Sequence, residues 1–501
     1  MPFETTDSWI RALEKADELI RISAPISTEL EITEFANRQM KSPGGGKALL
    51  FENPRIGAAS SKTSSFPVLI NSMGSVRRMA MALGVAHVDA LAQELGFLLK
   101  AKPPRSFSEA IGLLRQALEL RHAKPKVVSG GPCKEVIHHR DRSSFSILDL
   151  PILKCWPDDG GPFITFPVVT TRDPDTGERN WGMYRMQIYD SWTTGMHWQV
   201  HKVGARHGRR YYETKQKMPV AVTIGGDPVY TFAATAPLPD GLDEAMLAGF
   251  LRKKSIELVK CETNDLEVPA DADFVLEGYV QPGEMRPEGP FGDHTGFYTP
   301  ADSYPVFHVE CITHRKQAIY PCTIVGKPPM EDYFMGTASV RIFMPIFRMN
   351  FPEIVDMALP AEGVFHNLVF VSINKQYPYH AFKIMNGLWG MGQMMFTKII
   401  VVVDRDVDVH NTSDVLFHLC ANIDPQRDTI FTKGPCDSLD HAPTHANMGS
   451  HMGIDATTKL PGEGYTRGWP KELKMSPQTV ERVNQLFQQL KGEPCSAPGS
   501  L

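Results

Sequence analysis

The chain has 501 residues, 42% apolar and 22% charged, a length for roughly two to four domains and a balance usual in folded soluble proteins. Its net charge of -5 excludes bulk attraction to nucleic acid or to an anionic membrane surface. No apolar run approaches the roughly 20 residues that span a bilayer, and the N-terminus from Met1 lacks the basic and apolar regions of a signal peptide, so a cytoplasmic protein with no integral membrane segment and no nucleic-acid partner is expected.

The spacing of Trp9, Ile10, Leu13 and Ala16 predicts an amphipathic helix over residues 8–19, then a short strand at 20–22 and a helix over 30–40. Two compact apolar runs, 48–51 and 67–70, end in turn signals and read as buried strands. Helical patterns cover 79–100 and 108–120, with a break around 102–105, and complete an N-terminal α/β domain over 1–123. From 124 to 320 strand-like runs dominate, at 163–170, 181–189, 220–224, 256–261, 274–280 and 306–313, and one helix, 240–254, interrupts them. Many strands with few helices suggest a barrel or sandwich. Strands and helices alternate again over 321–470. There 368–373 and 399–403 are continuous β-branched runs of a covered sheet, 381–395 and 412–420 are helical, and 434–470 reads as loop. Residues 471–501 hold a last helix, 475–490, and a polar tail. The eight cysteines include no Cys-x-x-Cys pair and read as free thiols.

Candidate chemistry concentrates in the middle block. The stretch Pro287-Glu288-Gly289-Pro290-Phe291-Gly292-Asp293-His294-Thr295-Gly296 excludes a helix and a central strand by its Gly and Pro content, leaving a shaped loop with two carboxylates. A turn with two solvated acids would look the same, but paired carboxylates in unlike surroundings are also how a site keeps one ionised and one protonated. Arg185 stands among Met183, Tyr184, Met186 and Ile188, where a guanidinium needs a carboxylate partner, either a structural one or a substrate's. Glu257 lies in an apolar strand pattern and is expected to be buried; with the Asn180 amide oxygen it could hold a hard divalent ion. Asn180 and Arg185 are an odd number of residues apart, so a strand end or bulge must separate them if they serve one site. His197, His201 and Lys202 add groups that suit a phosphate or a metal shell. No dinucleotide-type glycine loop, Walker loop or Gly-x-Ser-x-Gly elbow is present.

These residues resemble the UbiD family of decarboxylases. The resemblance runs in order through the segments 30–34, 48–54, 131–133, 155–157, 257–261, 264–269, 287–296, 351–356 and 452–457, and is strongest to the 4-hydroxy-3-polyprenylbenzoate decarboxylase branch. It implies an α+β or α/β multidomain fold: an N-terminal α/β domain, a central split β-barrel binding flavin, and a C-terminal α/β domain with a terminal helix. It also implies prenylated FMN as cofactor, a manganese or magnesium ion, a potassium ion, a flavin prenyltransferase as supplier and a homo-oligomer, dimer or hexamer. The implied reaction is reversible non-oxidative decarboxylation of a small aromatic, hydroxybenzoate-type acid through a covalent adduct with the cofactor. In the implied roles Arg185 orients the substrate carboxylate, Glu288 holds Arg185, and Asp293, its pKa raised by desolvation, donates the proton. Met183, Tyr184, Arg185, His197, Trp198, Gln199 and Lys202 would contact the cofactor, and Asn180, Glu257 and His197 the metal. Met330, Phe334, Met335, Met391, Met394, Met395 and Phe396 are candidates for an apolar substrate pocket. A flavin reductase or a non-catalytic flavin-binding subunit on the same architecture is the alternative.

Overall fold

The computed structural model describes residues 3–58, 62–99, 122–199, 202–238 and 241–489. The predicted helix at 108–120, the break before it, His201 and the polar tail lie outside the described residues. Two compact units are present, Met1–Pro345 and Ile346–Leu501. Among the described residues no helix is long and apolar enough to cross a membrane.

The first unit contains two main sheets over one apolar core. A four-stranded sheet runs in the order Leu19–Ile22, Ala48–Phe51, Val68–Ile70, Tyr320–Cys322. Its last strand pairs in parallel with Val68–Ile70 and is supplied from far along the chain. A seven-stranded sheet runs Thr193–Gly195, Asp302–His314, Phe274–Glu288, Met218–Ile224, Val168–Arg172, Arg179–Gly182, with Val136–His139 also paired to Asp302–His314. Among the described residues its two ends do not pair with each other, so the middle block, expected as a barrel or sandwich and by the resemblance as a split barrel, forms no closed barrel. Phe51 and Ile70 from the smaller sheet and Val169, Val222, Leu276 and Ile312 from the larger are all buried in one cluster, which joins the two.

The centre of the larger sheet is one long antiparallel hairpin, Phe274–Glu288 against Asp302–His314, paired from Phe274↔His314 to Glu288↔Asp302 with register shifts between Glu277 and Gly278 and between Val280 and Met285. Its strands reach well beyond the apolar runs that announce them, because their outer ends are half-exposed and polar. The predicted strand at 181–189 is instead two, Arg179–Gly182 and Met186–Gln187, with an irregular step at 183–185. The predicted helix at 79–100 divides into Val76–Ala82 and Asp89–Leu99, with Gly84 at φ +69 between them. Three helices have no counterpart in the expectation: Val203–Thr214, Pro228–Ala233 and Glu331–Asn350.

The second unit is a five-stranded sheet in the order Ile354–Ala358, Leu368–Ile373, Ile399–Asp404, Met448–Asp455, Thr429–Pro435, its three central strands parallel. The stretch 434–470, expected as loop, supplies Met448–Asp455, one of the three inner strands. Its glycines hide it: a Cβ on Gly453 would lie 2.3 Å from the Met385 sulfur, so the helix His380–Trp389 packs directly on the strand backbone. The helix Pro477–Gln489 buries none of its side chains. Of the expected apolar pocket, Met330, Phe334 and Met335 are buried in the first unit, whereas Met391, Met394, Met395 and Phe396 are half-buried in the second.

Candidate active site

Three short pieces of backbone bring the central charges together. Glu288 is the last residue of the long hairpin strand and is fully buried. The chain then turns through Gly289 and Pro290 into the short pair Phe291–Gly292 and Tyr298–Thr299, which carries Asp293 just past its first strand. Side chains fasten this turn: Gln187 accepts from the Gly289 N–H at 2.7 Å, and Asp159 accepts from the Gly292 N–H at 2.7 Å. Gly292 also needs to be glycine, since a Cβ would sit 2.2 Å from the Trp156 ring. Opposite stands Arg185, at the irregular step where the strand Arg179–Gly182 has ended.

Arg185 joins the two acids. Its Nε donates to Glu288 Oε1 at 3.1 Å, with Nη2 also 3.1 Å from that oxygen, and its Nη1 donates to Asp293 Oδ2. The guanidinium carbon lies 4.5 Å from the centre of the Phe291 ring. The other Glu288 oxygen meets His197 Nδ1 at 2.7 Å. Asp293 further accepts from Thr299 Oγ1 at 2.9 Å, the His294 N–H at 2.8 Å and His294 Nδ1 at 2.9 Å. The expected rise of the Asp293 pKa does not occur in this arrangement. Burial pushes the carboxyl up, but the His294 hydrogen bond and the Arg185 charge outweigh it and hold the group well below the usual carboxylate range. Burial likewise pushes the His197 imidazole down, against the pull of Glu288.

A second polar region adjoins these residues through aromatic contacts. His197 precedes Trp198, which meets Tyr184 edge-on at 6.5 Å, and the Tyr184 hydroxyl accepts from the Gly204 N–H at 3.3 Å. Asn180, in the strand Arg179–Gly182, lines a cavity of about 350 Å³ together with Glu244, Arg172, Arg179, Arg206 and His207. Glu244 is buried, accepts from the Trp181 N–H at 2.8 Å and is pushed up to about 7 by burial. Among the described residues, the buried polar atoms with no hydrogen-bond partner include Asn180 Nδ2, Trp181 Nε1, His197 Nε2 and Trp198 Nε1. Such atoms, beside a cavity rich in arginine, fit an anionic ligand with its counter-ion. Met183 and Gln199 are half-buried and Lys202 is exposed, at the start of the helix Val203–Thr214.

Glu257 requires a correction. It is exposed, on a strand paired with Lys126–Val128, and is not among the residues lining the cavity with Asn180. The strand Glu257–Lys260 alternates exposed, buried, buried, exposed, so its ends face water. The acid that accompanies Asn180 is Glu244, which sequence reasoning missed because Asp243-Glu244 looks like the ordinary acidic start of a helix. Its only signal is an acid immediately before a run of Ala, Met and Leu. Among the described residues no group of three or more His, Cys, Asp or Glu side chains that could hold a metal ion is present.

Three family models match the chain in order. They are the 3-octaprenyl-4-hydroxybenzoate carboxy-lyase N-terminal domain over 10–98, the Rift-related domain over 126–328 and the C-terminal domain over 333–456. An uncharacterized protein of Archaeoglobus fulgidus is 48% identical over 98% of this chain and 99% of its own, and one of Aquifex aeolicus is 48% identical over 96% and 97%. Among solved structures, the vanillic acid decarboxylase of Sedimentibacter hydroxybenzoicus in closed form superposes with a TM-score of 0.82 at 26% identity, covering 98% of this chain and 100% of that one. The UbiD-class enzyme HmfF of Pelotomaculum thermopropionicum, solved in complex with prFMN, gives 0.76 at 26% identity over 95% and 98%. With all three domains matched in sequence and the whole fold matched in space, the chain belongs to the UbiD family of carboxy-lyases.

Proposed function

We propose that the protein catalyses reversible, non-oxidative decarboxylation of a hydroxybenzoate-type aromatic acid with prenylated FMN as cofactor. The observation that carries this reading is Arg185, nearly buried against Phe291 and held between Glu288 and Asp293. A guanidinium fork beside an aromatic face suits a carboxylate on a flat apolar ring. The solved vanillic acid decarboxylase and the prFMN complex support the substrate class and the cofactor.

Glu288 fixes Arg185 through Nε and Nη2, and Nη1, which bonds Asp293, is the edge that would turn to the substrate carboxylate. When bound, prenylated FMN supplies an electrophilic centre that accepts the electron pair released with carbon dioxide, which spares the reaction a free aryl carbanion. As Arg185 turns to the substrate, Asp293 keeps its burial and loses one of the groups that hold it ionised, His294 being the other, a change that favours the protonated acid that gives a proton to the ring carbon. Met183, Tyr184, Trp198, Gln199 and Lys202 are the proposed flavin contacts. Asn180, Glu244 and the unpartnered Nε2 of His197 would hold a divalent ion beside the flavin phosphate. Oxygen donors without thiolate favour manganese or magnesium over zinc. A flavin prenyltransferase supplies the cofactor, and the working form is a homo-oligomer.

Co-expression with a flavin prenyltransferase, followed by a screen of hydroxybenzoates for carbon dioxide release, tests the reading. Asp293→Asn is expected to slow turnover by about 10²–10⁴-fold while retaining flavin. Release from none of the acids by the loaded enzyme, or an Asp293→Asn variant near the wild-type rate, overturns it.

A further inference from the structure

Each decarboxylation places one proton on the carbon that loses carbon dioxide, so one proton must enter the site per turnover. In the reading above, on which this inference rests, Asp293 gives that proton and is left as a carboxylate. Asp293 is only 5% exposed, so it must be reloaded through a neighbour. Among the described residues the side chains that hydrogen-bond to it are Arg185, Thr299 and His294. Arginine does not give up its proton and a threonine hydroxyl can only pass one along, whereas an imidazole titrates near neutral pH.

We propose that His294 is the positioning residue that reloads Asp293, carrying a proton from solvent to the Asp293 carboxylate. His294 Nδ1 is 2.9 Å from Asp293 Oδ1, and its side chain is 18% exposed against 6% for Asp293, so the ring links the buried acid to water. A second carboxylate, Asp332, lies within the electrostatic reach of the ring; burial pushes Asp332 up to about 6 and His294 opposes that rise. Among the described residues the other charges here include Arg185 on Asp293, Lys41 beside Asp332 and Lys327 near Lys41. Two carboxylates about one imidazole favour its charged form. In the step, the Nδ1–H bond of the imidazolium breaks and an O–H bond forms on Asp293. The neutral ring then regains a proton from water. Charge is conserved, and no oxidant or reductant is needed.

The test uses the prenylated-FMN enzyme and whichever aromatic acid the wild type turns over. His294→Asn keeps a donor close to the backbone but cannot shuttle a proton. It is expected to lower kcat by about 10²-fold with KM little changed. His294→Ala is expected to fall similarly and to recover with added imidazole, which a merely structural histidine would not show. A readout independent of turnover is the infrared carboxyl band of Asp293 in protein without cofactor, whose titration should move to higher pH in His294→Asn. A wild-type-like kcat in His294→Asn, or a loss in His294→Ala that imidazole does not restore, overturns the relay. If the wild type converts no aromatic acid, it is the functional reading that fails, and an Asp293 band unmoved by His294→Asn would then overturn the coupling as well.

Discussion

Glu244 and Glu257 carry the same functional group in opposite surroundings. Glu257 faces water, and in sequence its flanking Ile256, Leu258 and Val259 made it look stranded among apolar neighbours. Glu244 is buried and pushed up to about 7, so a divalent ion must compete with a proton for it. Glu244→Gln is therefore expected to lose both metal and flavin, and Glu257→Ala to keep both, as read by metal content and flavin absorbance of the purified proteins. In the wild type, metal occupancy should weaken as pH falls below about 7. A Glu257→Ala protein stripped of metal would reverse this assignment. Arg185, Glu288 and Asp293 were legible in the sequence because a charge in an apolar strand, or two acids in a Gly/Pro turn, breaks the local pattern. Glu244 was not, because an acid at a helix start obeys it.

At the level of elements, the turn after Glu288 depends on its contact with Trp156. Gly292→Ala forces a Cβ within 2.2 Å of that ring, and should cost about 1–3 kcal/mol by denaturant unfolding and misplace Asp293. An unchanged midpoint and kcat would mean that the ring moves aside freely. In the second unit, Lys459 is fully buried between Asp455, whose carbonyl it reaches at 2.6 Å, and Asp428 at 3.5 Å, while Lys375 bonds Glu463 at 2.7 Å and Thr457 at 2.8 Å. Lys459→Met leaves buried carboxylates short of a cation, an expected loss of about 3–5 kcal/mol. A variant as stable as the wild type would show that these acids take up protons instead. Strands built from Val, Ile and Leu, such as Leu368–Ile373, were readable as such. The helix Val203–Thr214 was not: the residues it buries are Gly204, His207, Gly208 and Tyr211, so close packing on small residues replaces an apolar stripe.

For the whole molecule, buried histidines set the response to acid. Burial lowers His207 from 6.5 to about 4, and lowers His138, His197 and His314 in the same direction. A base whose folded pKa is depressed favours the fold while neutral. That contribution is intact above pH 6.5 and is lost as pH falls from there through about 4. Asp227, Glu244 and Glu331, raised to about 7 by burial, act in the opposite sense, their contribution fading as pH climbs through that value. The two sets oppose one another between about pH 4 and 7, so His207→Gln, which removes one of the bases, should hold its thermal midpoint better than the wild type on acidification; identical slopes for the two proteins would remove His207 from the account.

The four-stranded sheet of the first unit has a consequence for how the protein is made. Val68–Ile70 finds its outer partner in Tyr320–Cys322, and Tyr320 leaves the ribosome 250 residues after Ile70. At about 5–20 residues per second, the nascent chain carries an unpaired, wholly apolar strand edge for roughly 12 to 50 seconds. A fragment cut at the end of the N-terminal homology region keeps that edge open permanently, so it should cling to chaperones and precipitate when expressed alone. A chain extended past Cys322 closes the edge with its own strand.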